Sequence, residues 1–144
     1  EVDFPKEQNA SFKIYNLDKT AMVEPLYGLK NKTARPAKKG SIEAYMSSFT
    51  NNGAEYIENE NAKRDSISAQ IPFAIIKYSL INGDEKTIRL FPLRDLLKEG
   101  EDLPKLEMIV KIERYFADCS WGDFMLVQQR VIGKWLRPYD FFVD

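Results

Sequence analysis

The sequence predicts an α+β fold: a curved, mainly antiparallel sheet of about five strands with two helices packed on one face. Three observations predict it. Residues 73–91 read as two strands about Asn82-Gly83-Asp84. Two later strands carry apolar groups on both faces, as covered strands do. Two stripes of apolar residues at a 3.6-residue period read as amphipathic helices.

The elements follow in order. Residues 1–9 read as a polar lead-in containing Pro5. Ser11–Tyr15 alternates Phe12 and Ile14 with polar neighbours and predicts a short strand, with a turn at Asn16–Lys19 and a weak strand at Ala21–Glu24. Residues 27–40 hold Gly28, Pro36 and Gly40 and read as a mobile loop. Ile42, Tyr45, Met46 and Phe49 then make the first helical stripe, with Ser41 as N-cap and Asn51-Asn52-Gly53 as a left-handed stop.

In the hairpin, Ile76, Tyr78 and Leu80 share one face of the first strand, and Ile88 and Leu90 one face of the second. A two-residue Asn-Gly loop would set these apolar sets on opposite faces. The expectation is therefore an odd-length loop, Asn82–Asp84, pairing Ile76 with Leu90 and Tyr78 with Ile88. Leu93–Lys98 predicts a helical turn, Met108–Ala117 and Asp123–Gln128 predict strands, and Asp118–Gly122 predicts the turn between them. Val131, Ile132, Trp135 and Leu136 form the stripe of a last helix, Gln129 to Arg137, ended by Pro138. Phe141, Phe142 and Val143 are too apolar for a free tail and predict a docked C-terminus.

Composition then narrows function. The 144 residues are 44% hydrophobic and 30% charged, which suits one globular domain spanning 1–144. There is no histidine, and Cys119 is the only cysteine. Ser-His-Asp and Cys-His chemistry is thereby excluded within the chain, and so are zinc sites built on histidine or on four thiolates. No apolar run reaches the roughly 20 residues that span a bilayer. The chain starts at Glu1 rather than Met, and reads as a processed or trimmed product with any signal or anchor upstream.

Net charge is −1, which argues against a dedicated nucleic-acid binder. The charge is uneven. Residues 1–40 carry 8 Lys/Arg and 5 Asp/Glu, whereas residues 41–144 carry 13 and 17. Lys30, Lys32, Arg35, Lys38 and Lys39 make an acid-free basic run. Its functional reading is a contact with phosphate or anionic lipid. Its plain reading, a solvated loop, is preferred here because no aromatic or recognition helix accompanies the charges.

Three stretches together carry a resemblance: SIEAYMSSFTNNGAEYIE (Ser41–Glu58), KRDSISAQIPFAIIKYSLINGDEKTIRLFPL (Lys63–Leu93) and ERYFADCSWGDFMLVQQRVIGKWLRPYDFFV (Glu113–Val143). In order, they resemble an uncharacterised family of bacterial extracytoplasmic domains. Its members are often membrane-anchored, and some are encoded beside gliding-motility ABC-transporter auxiliary subunits. The marks are Pro72, Gly83, Tyr115, Val127, Gln128 and Phe142, and the likeness covers roughly residues 41–144. The Leu93–Leu106 segment is longer here than in the family pattern. The resemblance implies a place in the periplasm or at the cell surface, beside a membrane assembly. It brings no reaction and no ligand.

Single residues remain. Glu99, Glu101 and Asp102 could bind calcium but lack EF-hand spacing, and read as solvated acids. Asp118 and Asp123 flank a turn and could form a hydrolytic carboxylate pair, or simply serve the turn. Cys119 reads as a buried thiol that Arg114 or Lys111 could at most acidify. Trp121 lies in a tight turn, where an aromatic marks a binding patch or folds over Tyr115. The candidate binding residues are Trp121, Tyr115 and Arg114. No catalytic residue, metal or cofactor is assigned. The reading is a non-catalytic extracytoplasmic binding or scaffold domain. It has an envelope protein as partner and reaches the membrane only through an upstream anchor. A carboxylate-dependent hydrolase and a small-ligand carrier are the alternatives.

Overall fold

The computed structural model describes residues 1–50, 52–93, 106 and 112–144. Its strands are β1 (Val2–Asp3), β2 (Phe12–Leu17), β3 (Thr20–Pro25), β4 (Arg35–Pro36), β5 (Tyr56–Ile57), β6 (Ala74–Ser79), β7 (Glu85–Pro92), β8 (Arg114–Cys119) and β9 (Phe124–Gln128). They form one sheet in the order β4-β3-β2-β1-β6-β7-β8-β9-β5. Every pairing is antiparallel.

The α+β class and the antiparallel sheet match the prediction, but the sheet has nine strands among the described residues rather than about five. The difference lies in β1, β4 and β5, each two residues long. A strand that short has no alternation to read. β1 nevertheless sits mid-sheet, where Val2 pairs with Phe12 on one side and Ile76 on the other. It joins the β2–β4 meander to the β6–β9 meander.

The β6–β7 hairpin keeps its apolar residues on one face, as predicted, and its loop is odd in length. Leu80 N–H donates to Asp84 O at 2.8 Å, leaving Ile81, Asn82 and Gly83 as the loop. The register is two residues from the expected one. Ile76 pairs with Ile88 and Tyr78 with Lys86. The turn starts at Ile81 because Gly83, at φ 90°, must take the left-handed position. The β8 strand begins later than expected, at Arg114, and runs through Asp118 to Cys119. Most of the predicted Met108–Glu113 stretch, and all of 94–98, lie outside the described residues.

One face of the sheet builds the main core. Val2, Phe12, Ile76, Leu90, Tyr115 and Val127 point into it, each at most 5% exposed. Burying an aliphatic or aromatic side chain this fully contributes roughly 1.5–3 kcal/mol each. Helix α1 (Ser41–Ser47) and the C-terminal segment cover this face. That segment starts with α3 (Gln129–Ile132) and tightens into 3-10 turns at Gly133–Trp135 and Tyr139–Phe141. Phe142 is fully buried, its ring 4.7 Å from Phe12 and 5.1 Å from Tyr45, so the C-terminus is docked as predicted.

Several helical details differ from the sequence reading. Ser41 is the first helical residue rather than the cap, and its Oγ donates to Lys38 O. Gly40, at φ 81°, takes the cap position. Met46 is 55% exposed, so the buried stripe narrows to Ile42, Tyr45 and Phe49. The helix stops at Ser47, and Asn52 Nδ2 caps Ser48 O at 2.7 Å; Gly53 is not left-handed, and Asn51 lies outside the described residues. α3 is four residues, not nine, because Gly133 is a weak helix former and Pro138 forces extension before it.

A third helix, α2 (Arg64–Ser68), has a single apolar residue, Ile67, and so no stripe to announce it. It lies on the other face of the sheet, which corrects the expectation of helices on one face only. Arg64 stands 5.5 Å over the Phe124 ring, and Phe124 stacks on Phe116 at 5.1 Å. The loop at 27–40 is held rather than free. Ala37 N–H donates to Ala21 O, Tyr139 Oη donates to Thr33 O, and Lys32 pairs with Asp140 at 2.9 Å.

Candidate functional site

The β6–β7 loop and the β8–β9 turn project from the same end of the sheet, because Ser120 N–H donates to Thr87 O at 2.9 Å. Thr87 N–H returns a bond to Ser120 Oγ. Gly122, at φ 103°, closes the turn by donating to Cys119 O. Trp121 is thereby held at the tip with 41% of its surface exposed. Its Nε1 donates to Asp123 Oδ2 at 2.9 Å, and Asn59 Nδ2 donates to Asp123 Oδ1. The bond to Asp123 fixes the orientation of the indole. Lys86 Nζ lies 6.0 Å from its ring. Beside the β6–β7 loop Leu80 is 42% exposed, and Ile81 within it is fully exposed.

The three candidate binding residues do not converge. Arg114 starts β8, roughly 17 Å of strand away from the turn. Its guanidinium pairs with Glu55 at 2.9 Å, a bond that raises its pKa further. Tyr115 points the opposite way and is fully buried beside Phe73. Its hydroxyl has no hydrogen-bond partner among the described residues, and burial pushes its pKa up. Tyr115 is thus corrected to a core residue: a ring with no exposed surface touches no partner. Trp121 does not fold over it.

Leu80, Ile81 and Lys86 escaped the sequence reading. Leu80 and Ile81 were placed in the strand. The signal was there, since an odd loop ending at Gly83 puts Ile81 off the sheet.

The two carboxylates of the turn are engaged separately. Asp118 lies on the α2 face, 3.5 Å from Arg89 and 3.7 Å from Arg64. Arg89 also donates to Ser68 O at the end of α2. Asp123 is held by Trp121 and Asn59, as above. Cys119 is buried, and burial, reinforced by Asp123 and Asp118, pushes its thiol up to about 12. It is neutral and poorly nucleophilic at neutral pH.

Beneath the core face lies a recess of about 60 Å³ lined chiefly by Ile88, Leu90, Val127, Ile132 and Trp135. That volume admits a few apolar atoms, well short of the several hundred Å³ of an ordinary ligand pocket. Among the described residues no group of three Cys, Asp or Glu side chains is arranged to hold a metal. Glu99, Glu101 and Asp102 lie outside them. No described helix is long and apolar enough to cross a membrane. No family model, curated protein or solved structure matches the chain.

Proposed function

We propose that the chain is a non-catalytic binding or scaffold domain of a membrane-associated bacterial envelope protein, and that it engages an envelope protein partner through the Trp121 end of the sheet. The observation that carries this reading is the exposure of Leu80, Ile81 and Trp121 at one end of the sheet. Three large apolar side chains stand exposed there, and the turn that carries Trp121 is hydrogen-bonded to β7 through Ser120 and Thr87. An exposed aromatic already oriented by a hydrogen bond, as Trp121 is, suits a partner surface because little entropy is lost on contact. In this reading the domain lies outside the cytoplasm, in the periplasm or at the cell surface, and its membrane anchor lies outside this chain. The motif order described above supports that placement.

The carboxylate-hydrolase reading has less support, because Asp118 and Asp123 face separate partners. The carrier reading has only the small recess in its favour.

The test is a photocrosslinking residue placed at Trp121 or Ile81 in the parent protein in cells, with Lys63 as a control position. A discrete adduct from positions 81 and 121, lost on Leu80→Asp, is the expected result. Equal adducts from Lys63, or none at all, overturn the proposal. Turnover of a substrate by purified protein, lost on Asp118→Asn, would overturn its non-catalytic part.

A further inference from the structure

The basic run at 30–39 gains a partner that its sequence neighbourhood does not show. The C-terminal segment folds against it: Lys38 N–H donates to Phe142 O at 2.8 Å. This brings Lys38 to 5.3 Å and Arg137 to 5.0 Å from the centre of one ring, Phe141. The two cations therefore lie within about 10 Å of each other, although they stand 99 positions apart in the sequence. Both are exposed, as are Arg35, Lys39 and Lys134 in the same two segments. Neither Lys38 nor Arg137 has a carboxylate within ion-pair distance among the described residues. Lys32 does, in Asp140.

We infer that this face, centred on Lys38, Phe141 and Arg137, is a contact for an anionic lipid surface, with the cations meeting headgroup phosphates. The face is on the β4 edge, away from the Trp121 end, so the inference goes beyond the partner reading and adds a direct membrane contact to the anchor. Three features favour a surface over one small anion. Further exposed cations, Arg35, Lys39 and Lys134, extend the charge along both segments beyond the pair at Phe141. The side chains are exposed rather than set in a cavity. The missing aromatic companion of the basic run is supplied by Phe141, half-buried between them. Basic residues near a charged bilayer act additively, and an aromatic ring beside them suits the interface.

The experiment is co-sedimentation of the chain with equimolar phosphatidylglycerol–phosphatidylcholine vesicles, against pure phosphatidylcholine vesicles. The variants are Lys38→Glu/Arg137→Glu and the milder Lys38→Gln/Arg137→Gln. Lys6→Glu/Lys63→Glu matches the net-charge change elsewhere on the exposed surface. The expected result is binding to the anionic vesicles only, weakening with added salt. Reversal at the patch lowers it at least about tenfold, neutralisation lowers it less, and the matched control stays within about twofold. Equal losses in both reversal variants overturn the inference, since net charge alone then explains them. Equal binding to neutral vesicles, or none to anionic ones, overturns it too. Saturable binding of inorganic phosphate without vesicle preference would replace the surface by a free-phosphate site.

Discussion

Tyr45 is the clasp between α1 and the C-terminal segment, and removing one oxygen tests it. Its hydroxyl donates to Trp135 O at 2.8 Å in a buried setting, and Trp135 Nε1 donates back to Ser48 O at 3.0 Å. Its ring meets Phe12, Phe49 and Phe142 edge-on. Tyr45→Phe keeps those ring contacts and nearly the same volume. It leaves the Trp135 carbonyl without its donor. A buried acceptor stripped of its partner costs about 1–3 kcal/mol. For a chain of this size that lowers Tm by roughly 3–10 °C. Urea unfolding followed by tryptophan fluorescence reads the loss as a lower midpoint at constant slope. Tyr15→Phe, on a ring 36% exposed, should stay within about 0.5 kcal/mol of the parent. Pairing Tyr45→Phe with Trp135→Phe should show coupling of about 0.5 kcal/mol or more. If Tyr45→Phe costs no more than the Tyr15 control, the hydroxyl does not hold the helix to the tail, and the reasoning fails.

Three further predictions concern the turns and the buried acids. Asp18 and Lys19 join β2 to β3 with φ of 48° and 69°, the left-handed region that a two-residue hairpin turn requires. Lys19→Gly relieves the Cβ strain there and should raise stability by about 1 kcal/mol, seen as a higher urea midpoint; a loss would show that Lys19 makes a contact worth more than its strain. Cys119, Tyr45 and Tyr115 all have pKa values raised by burial, that of Cys119 to about 12. The folded chain therefore retains protons that the unfolded chain releases, so stability is full below about pH 9 and falls as pH rises beyond it. Each retained proton costs about 1.4 kcal/mol per pH unit. Unfolding curves from pH 8 to 11 check this, and a flat profile would contradict it. At pH 8 the native thiol should react with a disulfide reagent far more slowly than the unfolded one.

What could be read from the sequence followed the length of each signal. The β6–β7 hairpin, the double-faced β8 and β9 strands, the docked Phe142 and the buried Cys119 each rest on several residues that agree. β1, β4 and β5 gave no warning, because two residues carry no period and are held by the neighbours they pair with. α2 was hidden for a related reason: Arg64 and Arg89 hold it through charge, ring faces and the Ser68 carbonyl rather than through an apolar stripe. The site was only partly legible. Trp121 stood out as an aromatic in a tight turn. Tyr115 and Arg114 are adjacent in sequence, but the alternation of a strand sends one into the core and the other to the rim. The joining of Lys38 to Arg137 is long-range and could not be seen from the basic run alone.

The placement of β1 has a consequence for assembly. Glu1 donates its amino group to Lys77 O across 76 positions of sequence, and Val2 pairs with Ile76. Each meander closes on local turns, whereas the seam between them joins residues more than 70 positions apart. Among the described residues β1 is the strand that pairs with both meanders, so removing residues 1–3 would leave two half-sheets with facing raw edges.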